Sequence, residues 1–151
     1  MLCEGEPLPF DTGFFDIVYC SSVLEHVTVP KSEIWDLRSG AKFRMRALDS
    51  QNIFAKEIKR VGRQYFVQTP CRTFPLESHS WLPAVGVMPR ELTVPLFRMT
   101  NRIWVKATIP DFYLLTNDEM GTLFPEALIV AEKSFGFTKS LMAIRTDKKL
   151  D

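Results

Sequence analysis

The chain has 151 residues, 46% of them hydrophobic and 25% charged, with a formal net charge of +1. That length and balance fit one domain, residues 1–151, with a core of ordinary size, and exclude the strong global field that recruits nucleic acid or an anionic membrane. The cysteines Cys3, Cys20 and Cys71 are odd in number and form no CxxC pair, so a reducing compartment suits them better than a disulfide framework or a zinc ribbon.

No apolar run is long enough to span a bilayer, and the first residues lack the basic-then-apolar order of a secretory leader. The expectation is a cytoplasmic protein with no membrane partner.

In chain order, the segment from Leu8-Pro9-Phe10 to Gly13 is a turn. It leads into a compact apolar run, residues 16–20, which predicts a strand buried on both faces. Residues 28–50, with Pro30 and Ser39-Gly40, predict a long, partly helical excursion. Asp49 or Ser50 is placed to cap a helix in which Ile53, Phe54, Ile58 and Val61 share a face, and Gly62 stands where a left-handed cap belongs. Residues 64–68 read as a strand stopped at Thr69-Pro70. Strand, helix, strand in that order predicts a right-handed parallel crossover.

Residues 70–115 carry six of the ten prolines and predict an insertion of loops and short helices, one of them over 92–105. Trp81, Phe97 and Trp104 imply that it packs against something. Thr116-Asn117-Asp118-Glu119 is a capping box for a short helix ended by Pro125. Residues 128–133 and 141–145 predict two last strands, antiparallel because Phe135-Gly136-Phe137 is a turn between them. Residues 147–151 are a charged tail.

Open α/β sheets bind ligands beyond the carboxyl ends of their strands. Two such ends are readable: Cys20-Ser21-Ser22, running on to Glu25-His26, and Thr69-Pro70-Cys71. Adjacent strands would put both on one rim. Taken alone, Glu25-His26 reads more readily as a solvated cap or a packing histidine than as a functional pair, Asp16 as a turn or strand-edge carboxylate, and Cys20 and Cys71 as small buried hydrophobes. His26 and His79 are the only histidines. With Glu25 and Glu77 they could compose a two-histidine, two-carboxylate metal site, but nothing in the spacing demands it and no metal is assigned. Arg38, Lys42, Arg44, Arg46, Lys56, Lys59, Arg60 and Arg63 form the one basic patch. It reads as a solvated face, or more sharply as a docking surface for an anionic acceptor, and it has no interleaved aromatic platform for nucleic acid.

Several stretches together resemble the class I S-adenosylmethionine-dependent methyltransferases of the type 11-like branch. Leu8-Pro9-Phe10 with Phe15-Asp16-Ile17-Val18 is similar to the approach to their fourth strand, and Ser22-Val23-Leu24-Glu25-His26-Val27 to the segment after it. Phe54-Ala55-Lys56-Glu57-Ile58-Lys59-Arg60-Val61-Gly62 is similar to the next helix, and Gln64-Tyr65-Phe66-Val67-Gln68-Thr69-Pro70 to the fifth strand. Phe74-Pro75-Leu76-Glu77-Ser78-His79 and the stretch from Glu132 to Ser140 resemble the tail of the same branch.

The resemblance implies an α/β fold: a partial Rossmann-like methyltransferase sheet, parallel strands followed by a C-terminal antiparallel pair, with helices. It implies S-adenosylmethionine as cofactor and methyl transfer to a small-molecule, glycan-precursor or lipid-precursor acceptor. Glu4 would lie near the adenine amino group, with Gly5 and Leu8 beside it in the cofactor set. Backbone at Cys20, Ser21 and Ser22 would line the methionine and sulfonium end. His26 would face the acceptor as a positioning group or general base. Two family features are missing from the 151 residues: a GxGxG loop, and the acidic residue that ends the second strand. The alternative is therefore a non-catalytic, truncated methyltransferase-like module that forms a homodimer through an exposed sheet edge. Metal-dependent hydrolysis built on His26 and His79 is a third, more distant reading.

Overall fold

Alternation along the strands decides which face of the sheet is covered. A computed structural model of the chain describes residues 7–76 and 79–146. Its described elements are β1 (Phe15–Ser21), α1 (Gly40–Val61), β2 (Gly62–Pro70), α2 (Arg90–Thr100), α3 (Asn117–Leu123), β3 (Leu128–Ser134) and β4 (Phe137–Arg145), with 3-10 turns at Leu24–His26 and Val85–Val87. The four strands form one sheet in the order β1-β2-β4-β3. β1 and β2 are parallel, paired from Phe15 opposite Gly62 to Ser21 opposite Gln68. β4 runs antiparallel to both β2 and β3. The fold is thus α/β with a mixed sheet and an antiparallel C-terminal pair.

On one face Cys20, Tyr65, Val67, Leu141 and Ala143 are buried beneath α1 and α3. Ala47, Ala55 and Ile58 of α1 and Met120 and Leu123 of α3 supply the other side of that core. The opposite face stays open: Ile17 is 65% and Tyr19 72% exposed, and Tyr19 stacks on Phe66 with ring centroids 5.4 Å apart. The expectation that the first strand is buried on both faces is corrected here. β1 is an edge strand, and only the side bearing Val18 and Cys20 meets the helical layer.

The first helix also begins earlier than its sequence signals suggest. Ser39, not Asp49 or Ser50, is its N-cap, and its hydroxyl accepts from the Lys42 amide at 3.4 Å. The buried stripe is Phe43, Ala47, Gln51, Ala55, Ile58 and Val61, spaced three or four apart. Ile53 points outward instead. Gly62 has φ of −101°, so it is no left-handed cap. Its need for glycine is a close approach: a Cβ there would lie 2.7 Å from Val18 Cγ2 and 2.9 Å from the Gln64 carbonyl. Chain turns directly from helix into β2 with no space for a side chain.

The helix expected over 92–105 is α2, shorter at its end and starting two residues sooner, after Pro89. Phe97 is fully buried, whereas Trp81 and Trp104 remain about half exposed, Trp104 donating its indole N–H to the Ser80 carbonyl at 3.0 Å. The capping box of α3 forms as expected, with Thr116 and Glu119 bonding reciprocally. Arg90 holds the excursions together. Its guanidinium donates to the carbonyls of Ile34, Leu37 and Pro110 and lies 3.5 Å from the Phe43 ring centroid. Burial pushes its pKa down to about 10, against the opposing charges of Asp111 and Glu91.

Candidate functional site

The carboxyl ends of β1 and β2 meet as one rim. Past Ser21, the chain makes a left-handed turn at Ser22, whose φ is +53°, and the Ser22 amide donates to the Gln68 carbonyl at 3.0 Å. The Ser21 hydroxyl donates to Gln68 Oε1 at 2.6 Å, and Ser22 Oγ reaches the same oxygen at 3.4 Å. One turn further, the 3-10 segment Leu24–His26 carries Glu25 inward and His26 outward. From β2, the Thr69 hydroxyl donates to Glu25 Oε2 at 2.9 Å. Cys20, Ser21, Ser22, His26 and Thr69 are therefore brought together.

A third segment, residues 111–115, crosses this rim. The Tyr113 amide donates to the Glu25 carbonyl at 2.8 Å, and Leu115 bridges to Cys71 alongside β2. Gln51, buried on α1, donates to the carbonyls of both Leu24 and Tyr113, tying helix, rim and crossing segment. Asp111 meets His26 Nδ1 at 3.1 Å, and the Thr28 hydroxyl donates to the Asp111 carbonyl at 2.8 Å.

His79 arrives from the segment after β2. Its ring stacks on Phe112 at 4.6 Å and meets the His26 ring edge-on at 4.7 Å. Its Nε2 lies 3.9 Å from Glu25 Oε1. Phe112 also lines a cavity of about 290 Å³ that opens between α1 and α2, among Phe43, Arg44, Arg72, Arg90 and Tyr113. The imidazole pair and this cavity share a wall.

Burial and the nearby Glu25 carboxylate push the Cys20 thiol up to about 11, outweighing a bond to the Leu24 backbone. Such a thiol is a packing group rather than a nucleophile at neutral pH. Cys20 and Cys71 are both buried and free.

The remaining sequence-predicted residues lie elsewhere. Leu8 sits near the amino end of β1, its amide donating to Glu57 and its carbonyl accepting from Arg60. A strand of that length spans about 20 Å, so Leu8 and the rim belong to opposite ends of the sheet. Glu4, Gly5 and Glu77 lie outside the described residues. Of the eight basic-patch residues, Arg44, Arg46, Arg60 and Arg63 hold carboxylates, and Lys59 donates to the Leu123 carbonyl. Sequence reasoning missed Asp111, Phe112 and Gln51. Asp111 stands 85 residues from His26 in a proline-rich stretch, and no local pattern links the two.

No family model, no curated protein and no solved structure matches the chain. No helix among the described residues is long and apolar enough to cross a membrane.

Proposed function

We infer that the chain takes part in S-adenosylmethionine-dependent methyl transfer to a small-molecule, glycan-precursor or lipid-precursor acceptor, as part of a Rossmann-like methyltransferase fold. The observation that carries this reading is the parallel adjacency of β1 and β2, which gathers Ser21, Ser22, Thr69 and His26 on one carboxyl-end rim. In open α/β sheets that rim is where ligands gather. The antiparallel β3–β4 pair supports the same reading, since the resemblance implies such a pair after the parallel strands.

The rim residues fit one end of the cofactor. The turned backbone at Ser22 and the hydroxyls of Ser21 and Ser22 suit its methionine portion. Glu4 and Gly5 would be needed for the adenine end. The cofactor would supply a methyl group on a sulfonium, transferred in line to the acceptor atom as the methyl–sulfur bond breaks and the neutral thioether leaves. What this chain adds is alignment and proximity. His26, its Nδ1 held by Asp111, would present the other ring nitrogen to an acceptor proton.

Calorimetric titration of S-adenosylmethionine into the purified chain tests the reading. Saturable heat is expected, weakened at least tenfold in Ser22→Val; no heat at millimolar cofactor sinks it.

A second reading follows from the open edge. Among the described residues β1 has only β2 as a neighbour in the sheet, and Ile17 and Tyr19 are exposed beside that edge. A non-catalytic module could pair two copies there. Light scattering decides: a stable dimer without cofactor affinity favours this reading, and a monomer that binds cofactor discards it.

A further inference from the structure

We propose that Glu25, His26 and His79 form a binding site for a borderline divalent cation of the zinc type. Each residue offers one ligand atom, and the three atoms lie within 4.8 Å of one another. Two imidazoles and one carboxylate are a donor set for first-row transition metals rather than for calcium or magnesium. Metal–nitrogen bonds of about 2.0–2.1 Å put tetrahedral ligand atoms about 3.4 Å apart. Side-chain rotations of little more than an ångström therefore close the group around an ion.

An independent observation points to a ligand. Glu25 is 0% exposed, and its Oε1 is buried with no hydrogen-bond partner among the described residues. Its other oxygen accepts from Thr69. A buried carboxylate oxygen left without a donor carries its desolvation cost with nothing to offset it. The two imidazoles close to that oxygen supply no donor within hydrogen-bond distance: His79 Nε2 stands 3.9 Å away. A cation between them would satisfy Oε1 directly.

The surroundings match those of a ligating histidine. Metal-bound imidazoles commonly donate their second ring N–H to a carboxylate, which fixes ring orientation and raises basicity. Asp111 stands in that role at 3.1 Å from His26 Nδ1. Phe112 holds the His79 ring by stacking. The His26 side chain is 36% exposed, so an ion can enter from solvent. Three protein ligands leave coordination positions for water or for an oxygen of a bound molecule, the pattern of an open site rather than a closed structural one. This site does not depend on the methyl-transfer reading. With a cation bound, His26 is a ligand and the ion takes over the positioning of an acceptor oxygen.

The test uses the full chain, stripped with chelator and titrated with Zn²⁺ alone by calorimetry and with Co²⁺ by visible absorption. Expected is one saturable equivalent, a cobalt spectrum of low coordination number, and a rise in Tm with zinc. His79→Gln and Glu25→Gln each weaken binding at least tenfold, and Asp111→Asn does so about tenfold. Glu33→Gln, at an exposed carboxylate paired with Arg46, leaves binding unchanged. Circular dichroism of each variant checks its fold, and His79→Gln, at a side chain 20% exposed, stands in should Glu25→Gln unfold. No saturable binding, or binding that survives both His79→Gln and Glu25→Gln, overturns the proposal.

Discussion

At Ser22 the backbone is left-handed, a conformation that non-glycine residues adopt only when neighbours hold them in it. Here the holding bonds run to Gln68, from the Ser22 amide and from the Ser21 hydroxyl. Ser22→Gly should therefore leave stability within about 1 kcal/mol of the parent, whereas Ser22→Val should cost about 1–3 kcal/mol because a β-branched side chain resists positive φ. Urea denaturation of the two variants checks this. Equal losses in both would show that the turn is held by its side-chain bonds and not by backbone geometry. The rim residues themselves were readable in the sequence because each sits at a strand end. The geometry between them was not. Glu25 and His79 come within 3.9 Å because residues 111–115 return to the rim, bonding Glu25 through Tyr113 and stacking Phe112 on His79, and no spacing in the chain encodes that path.

Among the elements, α3 shows how a short helix is held. Burial pushes the Glu119 carboxyl up, but the Thr116 amide, the Tyr113 hydroxyl and the Arg44 guanidinium outweigh it and hold the group below the usual carboxylate range. A carboxyl whose pKa is depressed on folding contributes stability above its unfolded pKa and loses it as pH falls through the folded value. Stability should fall as the pH is taken from 7 to below the ordinary glutamate value of about 4.3 for this reason, and Glu119→Gln should flatten that part of the curve while costing about 1–3 kcal/mol at pH 7. Denaturant midpoints at both pH values measure it. An unchanged pH slope in the variant would remove Glu119 from the account. The capping box that starts this helix is a local pattern and was legible. The N-terminal half of α1 was not, because its buried stripe there is only Phe43 and Ala47, set among Lys42, Arg44 and Arg46 and an outward-facing Met45.

For the molecule as a whole, Arg90 is the long-range tie. It joins the excursion before α1, through Ile34 and Leu37, to the segment that crosses the rim, through Pro110, and rests on Phe43 of α1. Arg90→Met keeps the stem but removes the donor from three carbonyls, two of them in buried bonds. It should cost on the order of 3 kcal/mol, with a lower urea midpoint, and should loosen residues 110–115. Arg90→Lys should recover only part, because an ammonium cannot span three carbonyls as a planar fork does. Full recovery by lysine would mean that charge alone holds the tie. The parallel start of the sheet and its antiparallel last pair followed from local patterns, whereas the order that sets β4 against β2 did not. This tie did not: a lone arginine after a proline looks like any solvated cation until the two loops and the helix it gathers are placed around it.

The one-sided covering of the sheet has a consequence for how the chain tolerates change over evolutionary time. Along β1, Val18 and Cys20 belong to the packed interior, while Ile17 and Tyr19, alternating with them, look out from the bare side. Successive codons of a single strand thus answer to different selection. Drift at Ile17 and Tyr19 is filtered by whatever meets the bare side, and drift at Val18 and Cys20 by folding itself.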